Sequence, residues 1–238
     1  MEILAIIPAR GGSKSIPLKN LQKINKKPLI DYTIETAKKS KYLDRIVVST
    51  DHPKILNHCK KLGVDTPFLR PKKFSLDSSS TLDVVKHTLK FLSKEKYFPD
   101  IIIILQPTNP FRKTTLIDQS VRLLKKSNAT SVLGVSKITK HPYRAFWPQK
   151  NFLQPLNSQF LQFHQRQKHP LCYYPTGEIY TFWRNTLGKY GNYYGPRIKP
   201  LISERNEINI DIDSSFDLFI SEMKLKYWNS YKKIKKFS

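Results

Sequence analysis

The stretch "ILAIIPARGGSKSIPLKN", Ile3 to Asn20, sets an unbroken apolar run against a loop with two adjacent glycines, one arginine and two lysines. Residues 3–8, apolar without alternation, have the character of a strand buried on both faces, as in a parallel sheet covered by helices. In an open sheet of that kind ligands bind beyond the carboxyl ends of the strands, which is where this loop would stand. Gly11 and Gly12 allow a tight turn that brings backbone N–H groups toward an anion, and Arg10, Lys14 and Lys19 can surround it with charge. A Gly-Gly surface turn with incidental lysines would use the same letters. The spacing is neither GxxxxGK[ST] nor GxGxxG, and Pro17 prevents immediate helix entry, so the loop is not a Walker A loop or a dinucleotide fingerprint.

Beyond the loop the same grammar repeats. Apolar runs at 45–50, 101–106 and 130–135 read as further buried strands, and the segments 28–40, 53–62, 82–93 and 114–127 read as helices. This alternation predicts an α/β fold: a mixed, mainly parallel sheet flanked by helices, in one domain over residues 1–238. Between about 140 and 175 the period is lost in a stretch rich in proline, glutamine and aromatics. That stretch is expected to leave the sheet as an arm, and its Phe146, Trp147, Phe152, Leu156 and Phe160 are expected to find cover on a partner subunit. Regular structure resumes at 178–183, then in "INIDID" at 208–213, and a final helix begins near Ser214, with Ser214 or Ser215 as its cap. In "INIDID" the isoleucines at 208, 210 and 212 alternate with Asn209, Asp211 and Asp213, so a strand would bury one set and project both carboxylates from the other face. Two such carboxylates can converge on one hydrated Mg²⁺, although an acidic strand edge before a helix cap would look alike.

Forty-two basic residues against 18 acidic ones give a formal net charge of +24. Such a charge attracts polyanions, an anionic membrane face or phosphorylated small molecules. The lysines are spread along the chain and no zinc-finger spacing, RNP-like aromatic motif or bZIP heptad accompanies them, so no nucleic acid partner is expected. The basic tail at 224–236 reads as a solvated helix end rather than a membrane-surface helix. Cys59 and Cys172 are far apart with no CxxC near either, which argues against a zinc site and a disulfide scaffold. No apolar run spans a bilayer and no signal peptide is evident, so no membrane insertion and a cytoplasmic location are expected.

"PARGGSKSIPLKN" (8–20), "VVSTD" (47–51), "FLRP" (68–71), "LQPTNPFR" (105–112), "HPYR" (141–144), "QRQ" (165–167), "TGEIY" (176–180) and "IDID" (210–213) together resemble the acylneuraminate cytidylyltransferases, the CMP-sialic acid synthetase family, in that family's order and over nearly the whole chain. The resemblance implies a nucleotidyltransferase in which the anomeric hydroxyl of a nine-carbon ulosonic acid attacks the α-phosphate of CTP and pyrophosphate leaves. It implies that Arg10 and Lys19 hold the triphosphate and stabilise the leaving charge, with Gly11, Gly12, Ser13 and Lys14 lining the cradle and Asn20 on the nucleotide. Asp211 and Asp213 would carry Mg²⁺. Arg70 would read the cytosine edge with Ser79 of "LDSSST" nearby, since a guanidinium offers two donors to the O2 and N3 acceptors. Gln106, Tyr180 and Arg166 would face the sugar, and Arg144 would reach across a homodimer.

Departures from the family's usual letters concern the sugar side. Tyr174 and Thr176 stand where a basic residue and an asparagine are common, Asn109 replaces a serine and Phe111 a leucine, so the identity of the sugar acid stays open. Related enzymes use legionaminate, pseudaminate or an eight-carbon sugar, the last group being less alike in the opening loop and acidic strand. A silent nucleotide- or polyanion-binding protein on the same fold is the reading from another class.

Overall fold

In the computed structural model, which describes residues 1–13, 15–138, 140–158, 169–203 and 210–234, the opening apolar run is strand β1 (Ile3–Pro8). A small ribbon of β2 (Lys23–Ile24) and β3 (Lys27–Pro28) leads to helix α1 (Leu29–Lys38), followed by β4 (Arg45–Ser49), α2 (Pro53–Lys61), α3 (Thr81–Lys94), β5 (Ile101–Ile104), α4 (Thr114–Lys125) and β6 (Ser131–Lys137). Every strand and long helix expected over these residues is present, with ends shifted by at most two residues. The hairpin β7 (Phe146–Gln149) and β8 (Phe152–Pro155) stands apart from the main sheet. The chain returns as β9 (Tyr173–Trp183), α5 (Arg184–Tyr190) and β10 (Ile198–Ile202), and ends in α6 (Ser215–Ile234).

The main sheet runs in the order β10-β6-β9-β5-β1-β4. β1 is parallel to β4 and β5, and β10 to β6, while β9 lies antiparallel between β5 and β6. Alternation explains why its strands read as solid apolar runs. Ile3, Ala5 and Ile7 of β1 with Ile101 and Ile103 of β5 enter the core formed with α1, α2 and α4. Leu4, Ile6, Ile102 and Ile104 enter the opposite core, with Val85 and Leu92 of α3 and Leu187 of α5. A fully buried side chain of this size contributes about 1.5–3 kcal/mol. Cys59 lies in the first core, where burial raises its thiol to about 12 and leaves it inert, and neither cysteine is in a disulfide.

Helix starts follow their caps. Ser80 and Asp83 form a reciprocal capping box at α3, with each backbone N–H bonded to the other's side chain, and His52 accepts from the Lys54 N–H ahead of α2. Ser214 and Asp217 repeat the box at the start of α6, as expected of Ser214.

The strand expected at "INIDID" is not there. Residues 208 and 209 lie outside the described residues, and Ile210–Asp213 belongs to no strand. Its backbone partners are loops instead: the Ile212 N–H donates to the Thr108 carbonyl at 2.9 Å, and the Ile212 carbonyl accepts from Lys19 Nζ at 2.7 Å. The burial half of the expectation stands, since Ile212 is fully buried. Among the described residues no helix is long and apolar enough to cross a membrane.

Candidate active site

The loop after β1, the segment from Arg70 to the start of α3, the loop after β5 and the segment before α6 enclose a cleft of ≈ 380 Å³ at the carboxyl ends of the parallel strands. It is lined by eight of the residues expected at the site: Arg10, Lys19, Asn20, Arg70, Ser79, Gln106, Asp211 and Asp213.

A small apolar cluster brings the first loop and the acidic segment together. Ile16, Ile24 and Leu29 pack with Ile212, and Ile210 and Leu218 lie against them. Polar bonds then fix the details. Lys19 Nζ donates to Asp213 Oδ1 at 3.0 Å as well as to the Ile212 carbonyl, and the Ser15 hydroxyl donates to the Asp213 carbonyl. Asn20, buried, donates its amide to the Arg10 carbonyl at 2.9 Å and so fixes the backbone that carries that guanidinium.

The glycines work differently from expectation. Neither Gly11 nor Gly12 adopts a left-handed backbone. Gly11 is required by close approach, because a Cβ there would lie 2.6 Å from the side chain of His52. Its N–H is already given to Asp51 Oδ1 at 2.9 Å, so it is not a bare donor. Gly12 is open on all sides, and Ser13 follows with its N–H on the Gly11 carbonyl. Lys14 lies outside the described residues.

The two aspartates have unlike surroundings. Asp213 keeps a side chain 76% exposed and is paired with Lys19. Asp211 is held by neutral donors, the Asn109 amide at 3.3 Å and the Thr108 hydroxyl. Asp211 as a whole is open to the cleft, but the protein around its carboxyl raises the pKa, burial first, against the lowering effect of the Thr108 bond. Among the described residues no group of three or more His, Cys, Asp or Glu could hold a metal unaided. Two carboxylates on one cleft with neutral or displaceable partners are nonetheless the donor set of a hard cation that completes its shell with water and phosphate oxygens.

Arg70 is 3% exposed. Its backbone N–H bonds to the Thr50 carbonyl at 2.7 Å, its Nε donates to Ser75 at 3.0 Å, and one terminal nitrogen lies 3.8 Å from Asp51. The other, Nη1, is buried without a partner among the described residues. Burial lowers its pKa, opposed by Asp51. Ser79 lies inside the 72–80 turn, donating to the Lys73 carbonyl and accepting from the Leu76 N–H.

On the far side of the cleft β9 breaks register with β6 between Leu133 and Val135. Irregularities of this kind re-aim side chains beside functional sites. Here Gly177, φ +73°, is turned so that a Cβ would meet Gln106 Oε1 and Asn109 Nδ2 at 2.9 Å and Asp211 Oδ2 at 3.3 Å. Gly177→Ala therefore combines backbone strain of about 1–2 kcal/mol with displacement of those polar groups. Its expected outcome is a lowered Tm in thermal melts, and a Tm equal to that of the unaltered chain would show that the turn accommodates a Cβ.

Behind Gly177, Arg112 is buried and donates to the carbonyls of Glu178 and Gln106, the latter at 2.7 Å, and to the Thr33 hydroxyl at 3.1 Å. Burial pushes its pKa down to about 10 despite the nearby Glu178 and Asp211. Tyr180 stands on β9 between Ile104 and Leu133, with its ring against Tyr193 and its phenol raised to about 12, by burial first. It does not line the cleft, nor does Arg144, which is exposed beside the hairpin. Arg166 lies outside the described residues. Asp51, Asp77, Arg112 and Gly177 were given no role from sequence. All four stand inside quoted motifs, "VVSTD", "LDSSST", "LQPTNPFR" and "TGEIY", which marked their places but not their roles.

Comparison with known proteins agrees with this layout. The family model described as Cytidylyltransferase matches residues 4–227. The CMP-N,N'-diacetyllegionaminic acid synthase of Legionella pneumophila is 35% identical over 225 residues, covering 93% of this chain and 95% of that one. The N-acylneuraminate cytidylyltransferase of Escherichia coli O18:K1:H7 is 29% identical over 92% of this chain and 52% of its own. A solved CMP:2-keto-3-deoxy-manno-octonic acid synthetase complexed with CTP has a TM-score of 0.70 at 16% identity, covering 95% of this chain and 99% of that one, a likeness of fold alone. With its sheet order, its cleft and a family match over nearly its full length, this chain belongs to the cytidylyltransferase family.

Proposed function

We propose that the protein couples CTP to the anomeric hydroxyl of a nine-carbon ulosonic acid, giving the CMP-sugar and pyrophosphate. The observation that carries this reading is the convergence of Arg10, Lys19, Arg70, Gln106, Asp211 and Asp213 on one cleft. Arg10 and Lys19 bind the triphosphate and offset the charge that grows on the leaving pyrophosphate, while Asn20 holds the Arg10 backbone and contacts the nucleotide. Gly11, Gly12, Ser13 and Lys14 form the turn that brings these cations to the phosphates. Arg70 and Ser79 take the base. Gln106 and Arg166 take the sugar, so that its hydroxyl meets the α-phosphate in line. Asp211 and Asp213 hold Mg²⁺, which when bound polarises phosphate oxygens and lowers the pKa of the attacking hydroxyl.

The relatives named above are enzymes for N,N'-diacetyllegionaminic acid and N-acylneuraminate, and a pseudaminic acid cytidylyltransferase of Campylobacter jejuni is 33% identical over 151 residues. The nearly end-to-end match with the legionaminic acid enzyme favours a diacetamido sugar as a second reading. Incubation with CTP, Mg²⁺ and a panel of N-acetylneuraminate, legionaminate, pseudaminate and 3-deoxy-manno-octulosonate should release pyrophosphate with one of the nine-carbon acids. Release with none of them would leave a silent nucleotide binder and overturn the reading.

The hairpin adds a partner to this proposal. Trp147, Phe152 and Leu153 are 60%, 78% and 69% exposed, and a second copy covering them makes a homodimer with Arg144 at its interface. Sedimentation at the mass of a single chain would remove it.

A further inference from the structure

Both cations assigned to the triphosphate are bound to carboxylates. Lys19 is held by Asp213, and Arg10 Nη1 donates to Asp77 Oδ1 at 2.9 Å with side chains 40% and 48% exposed. Asp77 and Arg10 both line the cleft. Asp77 sits on the 72–80 turn, whose polar bonds are largely internal: Ser79 bridges Leu76 and Lys73, and the Ser79 N–H returns to the Leu76 carbonyl. The turn runs between Pro71 and the α3 cap at Ser80, and it also carries Ser75 against Arg70.

We propose that the Asp77 carboxylate is a built-in stand-in for a phosphate oxygen, which occupies Arg10 in the empty cleft and sets the affinity for triphosphate and pyrophosphate by competing with them. The inference rests on the assignment of Arg10 to the triphosphate. A carboxylate and a phosphate oxygen satisfy a guanidinium in the same way, and although its five N–H donors could reach both, two anions side by side on one guanidinium repel. Entry of a triphosphate therefore moves Asp77 away, and the turn that carries Ser75 and Ser79 with it. After pyrophosphate leaves, the single phosphate of a CMP-sugar has no claim on Arg10, and Asp77 recaptures it. Product is thereby held less tightly than CTP.

Calorimetric titration of CTP, inorganic pyrophosphate and CMP, each with Mg²⁺, into the full chain and Asp77→Asn tests this. The expected result is tighter CTP and pyrophosphate binding by up to about fivefold, the range found for partly exposed pairs, with CMP unchanged. In an Arg10→Ala background the Asp77→Asn gain should vanish, as a competition for Arg10 requires. Unchanged or weaker binding by Asp77→Asn would show that Asp77 steadies Arg10 rather than competing for it. A gain that persists without Arg10, or that extends to CMP, would show a diffuse charge effect. Either outcome overturns the inference while leaving the functional reading intact. If instead Arg10→Ala binds CTP and pyrophosphate as the unaltered chain does, the assignment of Arg10 to the triphosphate fails and takes the Asp77 inference with it.

Discussion

Asp211→Asn is expected to lower turnover on the order of a thousandfold while leaving the fold intact. Asparagine keeps the shape and an oxygen for the Asn109 amide and Thr108 hydroxyl, and removes only the charge offered to a cation. Stability should move the other way. The carboxyl is held above its ordinary pKa, so the folded chain binds its proton more tightly than the unfolded chain, and ionisation at neutral pH costs stability. The variant should therefore melt at or above the temperature of the unaltered chain at pH 7, and the difference should disappear below the ordinary carboxylate range. Pyrophosphate release and thermal melts across pH read both effects. Full Mg²⁺-dependent activity in the variant would remove Asp211 from the metal site.

Arg70→Ala should weaken the use of CTP on the order of a hundredfold in kcat/KM, from the loss of charged hydrogen bonds of about 1.5–3 kcal/mol made by a buried guanidinium. The buried, unpartnered Nη1 is the reason for expecting so much, since a donor desolvated without a partner gains most when an acceptor arrives. Discrimination should fall too, because cytosine O2 and N3 match two donors of one guanidinium whereas uracil presents N3–H at the second position. Arg70→Lys keeps the charge but not the fork, and should recover part of the binding and little of the CTP-over-UTP preference. Selectivity unchanged in Arg70→Ala would assign base reading elsewhere.

The central fold was legible because its signal is local. Ile101–Ile104, four isoleucines in a row, can hardly be anything but a strand covered on both faces, and the cap at Ser214 announces its helix. The edge strand β10 was missed because Lys199 and Pro200 interrupt it and most of its residues are exposed, so burial left no mark on its pattern. The acidic segment was misread as a strand since period-two alternation records only an extended chain with one side against apolar neighbours. Here those neighbours are Ile16, Ile24 and Leu29 rather than a sheet. Arg112 and Gly177 act through partners distant in the sequence, Thr33 for one and Gln106, Asn109 and Asp211 for the other. No spacing rule marks such a residue, because its role exists only once the sheet has assembled. Asp77 was hidden for the same reason.

The reversed strand β9 has a bearing on how the molecule is made. Among the described residues it alone links the three-stranded group β4-β1-β5 to the pair β6-β10 in the sheet, and it follows both β5 and β6 in the chain. A ribosome-bound chain ending before Tyr173 thus has all of β5 and β6 but not the strand that pairs with both, leaving the isoleucine edge of β5 and the edge of β6 open to association during synthesis. Nascent chains halted just before and just after β9 should accordingly differ in their demand for chaperones, with the burden lifting once Trp183 has cleared the exit tunnel.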